Sequence, residues 1–437
     1  MPVSLQAIGW FVAYLAVAGA PLWVLLASST PPGQGVAWDF AIGLGFAALG
    51  LMATMFWLTA RFRRLTLPFG IDAIYFFHRQ VALLIVLFVL LHPLILFIEE
   101  PLLVRYLKPS APLPLLLGVV AFVAIVLMVF SSVARRALHL HYDTWRRIHV
   151  TLAVAAVAAT LGHVFGIHYY VSTPGTAWMW FATAAVTTAL VVYVRLVRPA
   201  LLRTRPYRVT AVYAERGRAR TLTVEPDGHA GFRFSAGQFA WLTWRASPFA
   251  MREHPFSFSS SADQAPRLSF TIKALGDLTQ ALSQVRVGER VYVDGPYGSF
   301  CPDRHVASGV ALIAGGIGIA PVLSVLRTAA DRGDRRPYHL VYAYKDIETL
   351  TAYAAIEELK TKINLTVTLV LSHPPPNWPG ERGFINALLL QRVLPETTLG
   401  YHYFICGPGP MLALTEAALR AQGAGFNRVH VEIFDLV

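Results

Sequence analysis

Four histidines occupy two apolar stretches at matched spacing. The first stretch runs from His78 to His92 as HRQVALLIVLFVLLH, and the second from His149 to His163 as HVTLAVAAVAATLGH. Fourteen residues of helix rise about 21 Å and close nearly a whole number of turns, so both imidazoles of a stretch face nearly one way. Almost everything between them is apolar, and each stretch reads as a helix able to cross a bilayer. An imidazole within lipid is costly without a partner and marks a functional site by default. Two such helices can clamp two planar metal cofactors, one at each level, and haem is the natural candidate because histidine is a standard axial ligand of its iron. A single buried histidine is more often a hydrogen-bonded core residue, but two matched pairs on separate apolar helices do not arise readily that way. Ala153, Ala155, Ala156, Ala158 and Ala159 leave room for a porphyrin face, although small residues also serve plain helix packing. Arg79, Arg146 and Arg147 are placed to neutralise propionates or simply to signal topology, and His168 stands just past the outer level.

A second group of residues suits flavin and nucleotide chemistry. His254-Pro255-Phe256-Ser257-Phe258-Ser259-Ser260 puts an aromatic ring, hydroxyls and a potential cation on one strand. Lys273 precedes Gly276-Asp277-Leu278-Thr279, which opens a short helix whose free N–H groups suit a pyrophosphate. The run VALIAGGIGIAPVLSVL, Val310 to Leu326, is a buried strand, a glycine turn and a helix. Its Gly315, Gly316, Gly318 and Pro321 let the backbone approach a phosphate at the helix N-terminus, in a pattern that departs from the GxGxxG dinucleotide fingerprint. Cys406-Gly407-Pro408-Gly409-Pro410 ends another strand, at the edge where parallel sheets bind ligands. Lys345, with Arg382, is placed to meet a ribose 2′-phosphate, while Asp346 beside it leaves the choice between NADPH and NADH open.

The elements that must hold these residues divide along the chain. The 437 residues are 55% hydrophobic, with a mean hydropathy of +0.51, which is too apolar for a wholly soluble protein. The excess lies in the first 200 residues, where apolar segments near 5–27, 37–60, 74–98, 112–134, 148–168 and 176–197 approach the length a membrane helix needs. The first is long and lacks a basic leader, so it reads as a span and not a cleaved signal. The net charge of +12 gathers beside these segments, as orientation signals do, and not as a nucleic-acid surface. Joints 28–37 and 169–175 are uncharged, whereas 61–72, 135–147 and the stretch after the last span are arginine-rich. Both termini are therefore expected in the cytoplasm, with His78 paired to His149 near that face and His92 to His163 near the outer one. From Tyr207 onward short strands with Gly and Pro punctuation read as a small antiparallel barrel, and later strands alternate with helices as in a parallel α/β sheet. The expected division is 1–200 for a six-span haem bundle, 201–303 for an FAD barrel and 304–437 for a nucleotide domain. Cys301 and Cys406 form no zinc-type spacing or disulfide framework.

The two H-x13-H helices, the run from Tyr142 to His149, HPFSFSS, IKALGDLT, GGIGIAP and CGPGPM together resemble the ferric reductase and NADPH oxidase superfamily in its bacterial, single-chain form. The resemblance implies electron flow from NAD(P)H to FAD, then to an inner and an outer b-type haem, then to an acceptor across the inner membrane. It implies that His254, Pro255, Phe256 and Ser257 meet the flavin, that Lys273, Gly276, Asp277 and Thr279 meet the FAD phosphates, and that Gly315, Gly316, Gly318 and Pro321 hold the nicotinamide nucleotide. Cys406 and Gly407 match the nicotinamide-side motif. Phe434, followed by Asp435, Leu436 and Val437, corresponds to the family's flavin-stacking aromatic. Dioxygen, giving superoxide, is the first acceptor considered, and a ferric chelate the second. A haem subunit feeding a periplasmic protein and a haem-free membrane anchor are further readings. No obligatory protein partner is expected, and the absence of an EF-hand implies activity without calcium.

Overall fold

The computed structural model describes residues 3–28, 33–63, 70–274, 279, 284–394 and 400–433. The chain separates into two compact units, Met1–Pro199 and Ala200–Val437.

In the first unit the apolar runs form six helices: α1 (Val3–Ala27), α2 (Val36–Thr59), α3 (Ile71–Glu99), α4 (Leu113–Val133), α5 (Tyr142–Ile167) and α6 (Pro174–Val192). All six are long and apolar enough to cross a membrane. Their outer faces stay apolar: α3 exposes Leu83, Leu84, Leu87, Leu90 and Leu94 while burying Val81 and Ile85. That pattern suits lipid on one side and helix on the other. Two helices start earlier than hydropathy suggests, α3 at Ile71 and α5 at Tyr142, and α6 continues through a π turn (Tyr193–Val197) into α7 (Arg198–Arg203). Hydropathy marks the part of a helix that lies in lipid; backbone hydrogen bonding carries it past that limit into charged sequence. The early start of α5 places Trp145 one turn before His149 on the same helix. The histidine helices pack mainly on their sequence neighbours, α3 on α2 and α5 on α4. Midway between the two histidine levels, Val81, Ile85, Ala156 and Val157 join Met52, Ala124 and Ile125 in one buried apolar cluster.

The second unit opens with an antiparallel sheet in the order β4-β3-β6-β1-β2-β5. Its strands are β1 (Tyr207–Glu215), β2 (Ala219–Pro226), β3 (Phe239–Trp244), β4 (His254–Ser257), β5 (Leu268–Lys273) and β6 (Arg290–Tyr297). A bridge between Phe258 and Phe270 joins the first strand of that order to the last, which closes the sheet as a barrel. The nucleotide sheet has the order β10-β9-β8-β7-β11-β12, and all its pairs are parallel. It comprises β7 (Val310–Gly315), β8 (Tyr338–Tyr344), β9 (Leu365–Leu371), β10 (Glu381–Arg382), β11 (His402–Gly407) and β12 (Val429–Ile433), with α8 (Ile319–Asp331), α9 (Tyr353–Lys362), α10 (Ala387–Val393) and α11 (Gly409–Ala421) between strands. Every residue of β7 is buried, as a strand covered on both faces requires. α8 is fastened to the barrel: Ala262 N donates to Thr328 Oγ1 at 2.8 Å, Arg327 donates to Ser259 O at 2.6 Å, and Arg332 pairs with Asp263 and Asp303 at 2.8 and 2.9 Å.

Candidate functional site

The structure sets His78 opposite His149, with ring centroids 6.4 Å apart and ring planes inclined at 54°. Two imidazoles holding one metal between them, each nitrogen about 2 Å from it, have centroids about 6 to 6.5 Å apart. The pair therefore has room for one iron, and haem fits the chemistry of the donor set. Three of the four Nδ1 atoms are held. His149 Nδ1 lies 3.2 Å from Ser132 Oγ, and that oxygen also accepts from Trp145 Nε1 at 3.2 Å. His92 Nδ1 lies 2.8 Å from Ala41 O, and His163 Nδ1 lies 2.8 Å from Pro114 O. A carbonyl only accepts, so His92 and His163 carry their proton on Nδ1 and keep Nε2 free as the ligand atom. Such outer partners fix the tautomer and orientation of a metal-binding histidine. His78 Nδ1 is buried with no hydrogen-bond partner among the described residues. Two glycines make room for the His92 and His163 rings: a Cβ on Gly45 would lie 3.2 Å from His92 Nδ1, and one on Gly118 would lie 2.8 Å from His163 Nδ1.

Around these levels the other membrane candidates fall unevenly. Ala156 and Ala159 are buried, whereas Ala155 and Ala158 are exposed on the outer face of α5. Arg79 is exposed. Arg147 is also exposed and donates to Asp143 O at 3.2 Å and Thr144 Oγ1 at 3.4 Å. His168 ends α5 in a left-handed conformation.

In the barrel, His254, Pro255, Phe256 and Ser257 make up β4, paired to β3 with Leu242, Trp241, Ala240 and Phe239 opposite them. Ser257 Oγ is buried with no hydrogen-bond partner among the described residues, a state that a polar ligand edge would relieve. Phe256 is half-buried beside it. Lys273 reaches into the nucleotide domain: its Nζ donates to Tyr344 OH at 3.0 Å and lies 4.8 Å above that ring. Thr279 is half-buried. Gly276, Asp277 and Phe434 lie outside the described residues.

The two glycine motifs of the nucleotide domain meet at the carboxyl ends of adjacent strands, with Cys406 opposite Ala314. This is where the strand order reverses, β8 lying on one side of β7 and β11 on the other, so the crevice is of the ligand-binding kind. Gly316 has a φ of 55°, and its carbonyl accepts from Tyr342 OH at 3.0 Å. Burial raises the Tyr342 pKa well above its ordinary value, so the hydroxyl stays a donor. Any side chain on Gly318 would run into the Cys406 carbonyl oxygen. A Cβ on Gly407 would lie 2.7 Å from Met411 Cε and 3.0 Å from Gly315 N. Pro321 stands in the first turn of α8 and is buried. Cys406 is fully buried. Lys345 is exposed just past β8, and hydrogen bonds from Thr349 hold the neighbouring Asp346 carboxyl below its ordinary pKa. Arg382 is exposed and donates to Pro376 O at 2.8 Å and Trp378 O at 3.4 Å.

Sequence reasoning missed the supports: Ser132, Ala41 and Pro114, the glycines at 45 and 118, and Tyr342. It also missed a cluster at the opposite, amino edge of the nucleotide sheet, where His305, His402 and His430 converge. Burial lowers the pKa of all three, with the neighbouring imidazoles adding to the effect on His305, brought to about 4, and on His430, brought to about 3.

Comparison with known proteins divides the chain in the same order. Residues 44–160 match the family described as ferric reductase like transmembrane component. Residues 208–300 match an FAD-binding domain, and residues 312–417 the oxidoreductase NAD-binding domain. NADH-cytochrome b5 reductase 1 of Cryptococcus neoformans is 28% identical over 158 residues, 34% of this chain and 54% of that protein. The ferredoxin reductase component of 3-ketosteroid-9-alpha-monooxygenase from Mycolicibacterium smegmatis is 30% identical over 236 residues, 52% of this chain and 64% of that protein. The chain thus spans 54% to 64% of the length of these two relatives. A flavohemoglobin from Malassezia yamatoensis with bound FAD and heme has a TM-score of 0.50 at 17% identity, covering 92% of this chain and 100% of that one; the likeness is one of fold alone.

Proposed function

We infer, from a ferric reductase transmembrane component followed by FAD- and NAD-binding domains, an arrangement that indicates the ferric reductase and NADPH oxidase superfamily, that this membrane oxidoreductase carries electrons from NADPH through FAD and two b-type haems to dioxygen, giving superoxide. Bound in their places, nicotinamide, flavin and haem would supply hydride transfer and single-electron carriage. The chain's own contribution is positional and electrostatic. The observation that carries the reading is the 6.4 Å separation of the His78 and His149 rings across the bundle. His92 and His163, whose Nδ1 atoms are tied to backbone carbonyls, would hold the second iron. The apolar cluster between the levels keeps water and ions out of the space that separates them. Ser257, unpartnered and buried, would hydrogen-bond a flavin edge. The Gly315–Gly318 turn would receive a pyrophosphate at the start of α8, with Cys406 and Gly407 beside it. Lys345, exposed at the carboxyl edge, supports NADPH, and NADH remains the alternative nucleotide.

The arginine-rich joints support a bacterial plasma membrane setting with both termini and the flavin half in the cytoplasm. A ferric chelate is the second acceptor, favoured by the family description of residues 44–160. The deciding experiment adds NADPH to purified protein in detergent and measures cytochrome c reduction with and without superoxide dismutase. Near-complete inhibition is the expected result. Dismutase-insensitive turnover with brisk reduction of ferric chelates selects the second acceptor, and a preparation without a reduced b-type spectrum overturns the haem reading.

A further inference from the structure

We propose that His305, His402 and His430 form a binding site for a late first-row divalent metal ion, Zn2+ in the first instance, at the amino edge of the nucleotide sheet. The proposal is independent of the electron-transfer reading, because the three imidazoles stand at the opposite end of the strands from Cys406 and the glycine turn. One ligand atom from each lies within 4.8 Å of the others. A tetrahedral metal with nitrogens about 2.0–2.1 Å away holds neighbouring nitrogens about 3.3–3.5 Å apart. His402 Nδ1 and His430 Nε2 now share a hydrogen bond of 2.8 Å; a metal would replace that shared proton, with the two nitrogens moving apart by about 0.5–0.7 Å to the tetrahedral separation. The rings now stack, with centroids 4.6 Å apart for His305 and His402, 4.1 Å for His305 and His430, and 5.2 Å for His402 and His430. Coordination would fan them by rotation about their side-chain bonds.

Three features make this more than aromatic filling. Two of the ligands sit on rigid, paired strands: His402 opposite Val310 in β7, and His430 opposite Phe404 in β11. Phe404 backs His430 at 4.6 Å and 23°, which limits where that imidazole can turn, as a precise site requires. The donor set is three imidazoles with no thiolate or carboxylate among them, which suits Zn2+, Cu2+ or Ni2+ and disfavours Mg2+ and Ca2+. His305 and His430 are half-buried, so an ion can reach the cluster from their side and a water can complete the fourth position.

The consequence follows from the chain path. His305 comes directly after the turn Pro302–Arg304 that connects β6 of the barrel to β7 of the sheet. A metal held there would tie the interdomain connector to the last two strands of the chain and stabilise the flavin half as one body.

The test uses the full-length protein in detergent, purified without a polyhistidine tag and stripped with chelator. Zn2+ is titrated against a chromophoric competitor, with Co2+ as a spectroscopic probe. We expect one saturable equivalent, a rise in the thermal midpoint of the flavin half on adding Zn2+, and a Co2+ spectrum of a tetrahedral nitrogen site. His305→Gln and His402→Gln should each weaken binding by at least roughly tenfold and abolish the thermal shift, while flavin content and the midpoint in chelator stay at the wild-type values. His305→Gln, on the connector and outside the strands, keeps the test open where a strand variant fails to fold. Equal Zn2+ binding by wild type and His305→Gln, or no saturable site, overturns the proposal.

Discussion

The two ends of the histidine helices are built differently. At the His92–His163 level, the outer one in the proposed orientation, both Nδ1 atoms meet backbone carbonyls at 2.8 Å, and a glycine on the neighbouring helix admits each ring. At the His78–His149 level, the inner one in the proposed orientation, His149 meets a serine hydroxyl at 3.2 Å, itself engaged by Trp145, and His78 Nδ1 has no partner among the described residues. A backbone carbonyl cannot turn away or be replaced by a side-chain substitution, so the outer rings are fixed by the fold. A hydroxyl both donates and accepts, and it can be deleted. The His78–His149 level is therefore the adjustable one, where, on the proposed function, side-chain changes would tune an iron without dismantling its site.

The largest effect that could break this contrast is loss of an outer ligand. His163→Ala should leave about one haem per chain in place of two, with acceptor reduction abolished and flavin reduction by NADPH retained. Pyridine haemochrome quantitation and stopped-flow flavin bleaching report this, and intact turnover would refute the order of levels. Next come the glycines. Gly118→Ala places a Cβ 2.8 Å from His163 Nδ1, and Gly45→Ala places one 3.2 Å from His92 Nδ1. Outer haem retention should fall about 10–100-fold for the first and by less for the second; the reverse ranking would mean that the α2 side, not the α4 side, is the tighter wall.

A smaller effect is expected at the inner level. Ser132→Ala removes the hydroxyl that accepts from Trp145 and meets His149 Nδ1; on the proposed function it should keep the haem bound while shifting its midpoint potential, leaving the outer haem unchanged in a potentiometric titration. Equal shifts at both levels would mean that the two ends are coupled and the contrast is wrong. The smallest effect sharpens the meaning of an unpartnered buried group. Ser257→Ala should weaken flavin binding by about 1 kcal/mol while leaving the flavin-free protein as stable or more so, because a buried unsatisfied hydroxyl is removed. Fluorescence titration and thermal unfolding of the stripped protein measure the two signs. A loss of stability without loss of flavin affinity would assign Ser257 to packing.

Much of this was legible in sequence because it is local. The spacing of His78 to His92 and of His149 to His163 is a helical period, carried by residues within a few turns. The glycine turn at 315–318 and the CGPGP run each lie between a strand and a helix that are contiguous in the chain, so their place at a carboxyl edge follows from the alternation of elements. The partners of those residues are not local. Ala41 O and Pro114 O lie 51 and 49 positions from the imidazoles they meet. Nothing in the composition of either segment marks one carbonyl among its neighbours as an acceptor. Lys273 reads as a phosphate ligand in its own strand, yet its ammonium bonds Tyr344, 71 positions away.

Taken alone, the amino-acid order determined that the first part of the chain must dissolve in lipid, that it carries two pairs of imidazoles at one pitch, and that a barrel and a parallel sheet follow. These depend on periodicity and on which faces are apolar, and both are properties of short stretches. Only the tertiary structure decided which helix packs on which, hence which backbone atom orients each imidazole. It alone brought His305, His402 and His430 to one edge, because that meeting depends on β11 being laid beside β7, and β12 beside β11, after long excursions. The reason is the same in each case: helix and strand periods are written in neighbouring residues, whereas the order in which elements pack is the outcome of burying all their apolar faces at once.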